Sequence, residues 1–301
     1  MENRLLVVGS VAFDHVKTPA GERIDSLGGS ATFFSYSASY FAPVKLVAVI
    51  GDDFPEQHIK LLQDKNIDTS GLMHQSGKTF RWAGSYVDDL NEAKTLSTEL
   101  NVFETFKPKL PLSYQDCEFI FLANIDPELQ LNVLEQVKSP KFIACDTMNL
   151  WINIKKDKLI ELLKKIDLFI LNDAEAKMLS GKSNLIEAAR SIQKLGPRTI
   201  TIKKGEHGSI LVHDDEIFIM HAYPFERIVD PTGAGDTFAG GMMGYLCKKG
   251  SFEFDELKQA VAYGTVMASF NVENFSLDNL IGLNESKIEA RLKKLLTYSK
   301  I

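Results

Sequence analysis

The sequence predicts an α/β fold in which a mostly parallel sheet is covered by helices on both faces. Short, continuously apolar runs recur at 4–9, 45–50, 117–123, 141–145, 167–171 and 198–203. Strands buried on both faces read this way, whereas strands with one wet face alternate. Stretches of helical character separate or follow them, at 30–41, 55–66, 127–138, 155–165, 173–180, 184–195, 235–249, 253–270 and 284–299. Strand–helix alternation is the pattern of a parallel sheet. At 301 residues, 45% hydrophobic and 25% charged, the chain has enough material for one large core with an appendage. A single domain over 1–301 is expected.

Two stretches, 11–27 and 75–106, break the alternation: polar and apolar residues interleave at period two and turn residues are frequent. Phe80-Arg-Trp82-Ala-Gly-Ser-Tyr86-Val-Asp88 is the clearest case, and Glu99-Leu-Asn-Val-Phe103 a second. Both read as antiparallel strands outside the main sheet. They are expected to form one small sheet that closes over a site as a lid and excludes water. Its exposed edges, with Phe80 and Trp82, predict pairing with a second copy of the chain.

The run Asp230-Pro-Thr-Gly-Ala-Gly-Asp236-Thr-Phe-Ala-Gly-Gly241 places a carboxylate behind flexible backbone at a predicted helix start. Gly233, Ala234 and Gly235 can turn successive N–H groups toward one point, an anion-binding concavity reinforced by the helix that follows. Asp236 would repel an anion held there, so its position calls for another role. General-base work on an incoming hydroxyl supplies one, as phosphoryl transfer to an alcohol requires. A plain glycine-rich cap with an acid in the first turn is the bland alternative. Gly240, Gly241 and Gly244 extend the small residues along the helix and permit close packing against a neighbour.

Other chemistries are poorly served. Gly77-Lys78-Thr79 and Gly181-Lys182-Ser183 end like phosphate-binding P-loops, but Leu72 and Ala176 stand where the first glycine belongs. GxGxxG fails at Phe238, which disfavours a nicotinamide dehydrogenase. A net charge of −6 argues against nucleic-acid binding. Cys117, Cys145 and Cys247 are dispersed and odd in number, so neither a disulfide framework nor a zinc site is expected. The six His residues form no ligand pair. No apolar run is long enough for a leader or a membrane span, and a cytoplasmic location is the expectation.

The Asp230–Asp236 run resembles the signature of the ribokinase-like PfkB family of carbohydrate and nucleoside kinases, matching at Asp230, Thr232, Gly233, Ala234, Gly235 and Asp236, and the resemblance extends over nearly the whole chain. It implies a three-layer αβα sandwich with a small β-sheet lid, ATP and Mg2+ as cofactors, a glycine anion hole and Asp236 as catalytic base. Asn172-Asp-Ala-Glu175, directly after an apolar strand, is similar to the family's NxxE element. The resemblance implies that Asn172 and Glu175 help position the ATP phosphates and magnesium, Glu175 through water; an ordinary capping box fits the same residues. Asp14 and the pair Gly28-Gly29 are similar to the acceptor site of sugar kinases, and a carboxylate suits a vicinal diol. Asn124, after the 117–123 run, is assigned to the same acceptor. Lys203, Gly205, Gly208 and Thr232 are assigned to the nucleotide. Phe33 departs from ribokinase, which carries an asparagine there, and opens the way to an aromatic-walled pocket.

The expected activity is therefore an ATP- and magnesium-dependent phosphorylation of a hydroxyl on a small sugar or polyol. A nucleoside kinase with Phe13, Phe33 and Phe34 as stacking partners is the rival within the enzyme class. A non-catalytic ligand sensor of the same fold is the rival outside it.

Overall fold

The computed structural model describes residues 4–87, 90, 91, 93–298 and 300. In chain order the strands are β1 (Leu5–Val8), β2 (Ala12–Thr18), β3 (Gly21–Gly28), β4 (Val44–Ile50), β5 (Ile67–His74), β6 (Phe80–Ser85) and β7 (Lys94–Glu99). They continue with β8 (Phe119–Leu122), β9 (Phe142–Asp146), β10 (Leu168–Asn172), β11 (Thr199–Lys203), β12 (Ser209–His213) and β13 (Glu216–Met220). All six apolar runs become strands of one nine-stranded sheet, ordered β13-β12-β11-β10-β9-β8-β1-β4-β5. From β11 to β5 every pairing is parallel; β12 and β13 add an antiparallel hairpin at one edge. Two buried clusters lie against its two faces, one around Leu5, Val7, Leu46 and Phe121, the other around Leu6, Val8, Val47 and Leu122. Alternate residues of a single strand therefore feed opposite cores, which is why these strands are apolar throughout.

A second sheet of four strands has the order β3-β2-β6-β7. Its strands fall within 11–28 and 75–106; residues 88, 89 and 92 of the latter stretch lie outside the described residues. The central pairing differs from the expectation of antiparallel strands. β2 and β6 are parallel, with Ala12 opposite Phe80, Asp14 opposite Trp82 and Val16 opposite Gly84. They are distant segments entering the sheet in the same direction, whereas β2–β3 and β6–β7 are antiparallel.

The helices Ser30–Ala38 and Ala234–Lys249 pack closely. A side chain at Gly240 would run into the carbonyl oxygen of Phe34, and one at Gly244 would approach that of Ala38. Position 34 meets 240 and 38 meets 244, so the two helices run parallel. Both N-termini, with their partial positive charge, open at the same end of the molecule. The expectation of a close-packed small-residue face is met here. Gly240→Ala is therefore expected to lower stability by about 1–3 kcal/mol, since the obstacle is backbone. Gly282→Ala, with no atom within 4 Å of the added carbon, should change it by less than about 0.5 kcal/mol. Urea unfolding of the two variants makes the comparison.

Candidate active site

Three adjacent parallel strands deliver polar residues at their carboxyl ends. β9 ends in Asp146, β10 in Asn172 and β11 in Lys203, with Asn172 paired in register to Lys203. Open α/β sheets bind ligands at this edge. Asn172 caps the helix Asp173–Ser180: its Oδ1 accepts from the Glu175 N–H at 2.8 Å, and the Glu175 carboxylate accepts from the Asn172 N–H at 2.7 Å. A reciprocal capping box is thus present, and the same carboxylate is 8% exposed and within electrostatic reach of Lys203.

The signature loop crosses this edge. Gly233 caps the helix Ala234–Lys249 with φ of +72°, and the Phe33 ring lies where any side chain at 233 would go. Glycine satisfies both demands. The Lys203 ammonium sits 2.6 Å from where a β-carbon on Gly235 would stand. Gly235 therefore keeps open the space in which that charge faces the loop. The Ala234 N–H is bonded to the Pro231 carbonyl at 3.1 Å, so it closes the turn, in contrast to the anion-binding role expected for it. The loop is pinned from behind by Asn271, which donates to the Thr232 carbonyl at 2.7 Å and accepts from the Thr237 hydroxyl at 3.1 Å. Thr232 N–H donates to Asp230 at 2.8 Å.

Asp236 in the first helical turn is partly buried. Burial raises its pKa to about 6; Lys203 and its own backbone amide oppose the rise and Glu175 adds to it. Burial pushes the Asp146 carboxyl well up as well, Asp236 adding to the effect and Lys203 opposing it. Asp14 is held at about 7 by burial, tempered by the Gly29 amide and reinforced by Asp230 and Asp236. Gly28 is required beside it, because the Asp14 carboxylate lies where a side chain at 28 would project. Four carboxyls, three of them buried (Asp14, Asp146 and Glu175) and Asp236 partly so, thus interact at one site in which Lys203 is the cation that three of the four feel. A separate cavity of about 620 Å³, lined by residues including Tyr223, Phe270, Glu273 and Arg291, contains none of these acids.

The remaining expected residues are placed as follows. Asn124 Oδ1 accepts from the Trp151 indole at 2.9 Å. Gly208, with φ of +79°, accepts from the Lys204 N–H at 2.7 Å and shapes the β11–β12 turn. Asn91 lies against Gly205, just past the end of β11. Phe33 is 2% exposed and backs the loop. Phe34 is stacked on Phe121 at 4.1 Å inside the core. Phe13 is covered by the Arg81 guanidinium at 4.9 Å and by Phe54 at 5.6 Å. None of the three rings presents an open face, which corrects the stacking role expected of them. Tyr86, Asp146 and Asn271 were given no individual role from the sequence. Tyr86 follows β6 and is 9% exposed, within electrostatic reach of Asp230, Asp14 and Asp236. Asp146 carried one usable signal, its place at the end of an apolar strand.

The pfkB family carbohydrate kinase model matches residues 4–281. The chain belongs to the PfkB family. Cytidine kinase of Thermococcus kodakarensis is 33% identical over 246 residues, 79% of this chain and 87% of that protein. The nucleoside kinase structure of Methanocaldococcus jannaschii superposes with a TM-score of 0.75 at 20% identity, covering 98% of this chain and 99% of that one. A putative Escherichia coli ribokinase II in complex with ATP and Mg2+ gives a TM-score of 0.79 at 18% identity, covering 97% and 99%. This PfkB kinase therefore has the ribokinase fold, as its central and second sheets already indicate.

Its buried acids carry a stability cost. The folded-state pKa of Asp14, about 7, lies above the ordinary 3.8, so the folded protein holds that proton more tightly than the unfolded chain. Stability then falls as pH rises between those values. Asp14→Asn is expected to raise the melting temperature, and by more at pH 8 than at pH 5; calorimetry at the two pH values tests the sign.

Proposed function

We propose that the protein transfers the γ-phosphoryl group of ATP to a hydroxymethyl or ring hydroxyl of a small ribosyl or polyol acceptor, with Asp236 as general base. The observation that carries this reading is the setting of Asp236: a partly buried acid at the head of a 16-residue helix, within reach of the Lys203 ammonium, with a pKa raised to about 6. A carboxyl of that proton affinity is ionised at neutral pH yet basic enough to take a hydroxyl proton. The acceptor oxygen bonds to phosphorus as the bond to ADP breaks. The products are a phosphate monoester and ADP, with the proton left on Asp236.

Lys203 and the Gly235 amide face the anion and spread its charge, while the parallel helix N-termini add positive potential. Asp14 and the Gly28–Gly29 backbone hold the acceptor's hydroxyls. Among the described residues no three His, Cys, Asp or Glu stand ready to hold a metal ion. Asp146 Oδ1 is buried without a hydrogen-bond partner, however, and Glu175 lies at the same edge. Hard oxygens of this kind fit magnesium that arrives with ATP and is held through water. Bound there, magnesium neutralises charge on the transferring phosphate. The β3-β2-β6-β7 sheet is the lid that shields the reaction from water.

The Thermococcus kodakarensis relative, whose name specifies a nucleoside, supports a nucleoside over a free sugar as acceptor. The lid's edge strand β7 is exposed along its whole length, including Leu96, which supports a homodimer formed through the lid.

Asp236→Asn should retain ATP affinity and lower turnover by about 10²- to 10⁴-fold; near-normal turnover removes Asp236 from the mechanism. Gly235→Ala should displace the Lys203 ammonium and weaken ATP binding with little loss of stability, since that neighbour is the tip of a flexible chain. Calorimetric titration of ATP, alongside a coupled ADP assay, measures both.

A further inference from the structure

The inner face of the second sheet carries an aromatic surface that neither the signature residues nor the three phenylalanines supply. Registered neighbours in a sheet point to the same side. Asp14, Val16 and Thr18 turn toward the body of the protein: all three are buried, and the Thr18 hydroxyl donates to the Val229 carbonyl at 2.7 Å, next to the signature loop. Trp82 is the direct partner of Asp14 and Gly84 that of Val16, so both share this inward face. Phe13 and Arg81 occupy the opposite face. The indole does not stand upright. It lies along the sheet, over Gly84, filling the place where a side chain at 84 would project. Its Nε1–H donates to the Thr95 hydroxyl on β7 at 3.3 Å, which fixes the ring's edge. Trp82 is only half-buried. One ring face lies over Gly84, and the other looks away from the sheet on the side that Asp14 occupies.

Glycine thus recurs on this face with one consequence. Gly28 lets the Asp14 carboxylate lie flat, and Gly84 does the same for the neighbouring indole. The result is a hydroxyl-binding acid beside a flat, edge-anchored aromatic plane. An indole so held is poorly placed for the dimer contact expected from the sequence, and Phe80 is occupied by stacking on Phe103 at 5.2 Å.

We propose that Trp82 is a specificity-determining residue: its free face stacks on the planar base of a nucleoside whose ribosyl hydroxyls are held by Asp14. This rests on the kinase reading given above and narrows its acceptor class. A free sugar has no flat unsaturated ring to use that surface. Stacking of a base on an aromatic side chain is tolerant of base identity, so the surface selects for a nucleoside rather than for one particular base.

The test compares wild type, Trp82→Ala and Trp82→Phe with cytidine, adenosine and free ribose as acceptors, using ATP and magnesium. Loss of the indole should raise KM for the nucleosides about 10- to 100-fold, the range expected for one stacked base, with kcat changed less than about threefold. Phe should restore most of the affinity, and KM for ribose should not move. Equal effects on ribose and nucleosides, or no change in nucleoside KM, would overturn the proposal. Indole fluorescence read without ATP separates this from the kinase reading. Nucleoside-dependent quenching seen in wild type and lost in Trp82→Phe supports the stacking even if no acceptor is phosphorylated. Turnover on nucleosides with no such quenching sinks the stacking while leaving the kinase intact.

Discussion

Carboxyl groups gathered around one ammonium set the terms for the rest of this structure. An ionised acid without water is costly, and several at close quarters repel one another. Burial is the main cause of the raised proton affinity of Asp14, Asp146, Glu175 and Asp236 alike. Lys203 opposes that rise at the last three, and a backbone amide does so at Asp14. Such an arrangement disfavours folding, which fits the site proposed for anionic and hydroxylic ligands, with stability supplied elsewhere.

The surrounding architecture reads as compensation for that choice. A nine-stranded sheet with a core on each face supplies the burial. The parallel approach of Ser30–Ala38 and Ala234–Lys249, allowed by glycine, brings two helix N-termini to the acidic end. Asn271 clamps the signature loop from below, and Thr18 ties the second sheet to the residue before it. Gly235 and Gly28 earn their places by leaving room for charged groups, Lys203 and Asp14 respectively.

What the sequence made legible follows from the range over which each feature is determined. Strands buried on both faces announce themselves through composition, and all six were readable. The edge strand β5 is interrupted by Asp68, Thr69 and Ser70, and β13 is mostly exposed, so neither stood out as an apolar run. Gly233, Gly235 and Asp236 were readable because the glycines that shape the turn and the carboxylate proposed as base are neighbours in the chain. Asn271, Asp146 and Tyr86 were not, since each becomes part of the site only through topology. The aromatic assignments failed for the same reason. Which residues of β6 share a face with Asp14 depends on the β2–β6 pairing, which is parallel where local patterning had suggested an antiparallel arrangement.

The central claim is that this acidic site performs phosphoryl transfer to an alcohol. The measurement that addresses it most directly is ADP release from ATP and magnesium by the purified wild-type protein, with and without a ribosyl acceptor, together with mass analysis of the acceptor. The account predicts acceptor-dependent ADP release matched one-for-one by phosphate-ester product. ADP release that proceeds equally without acceptor, or bound ATP with no turnover across sugars and nucleosides, would contradict it.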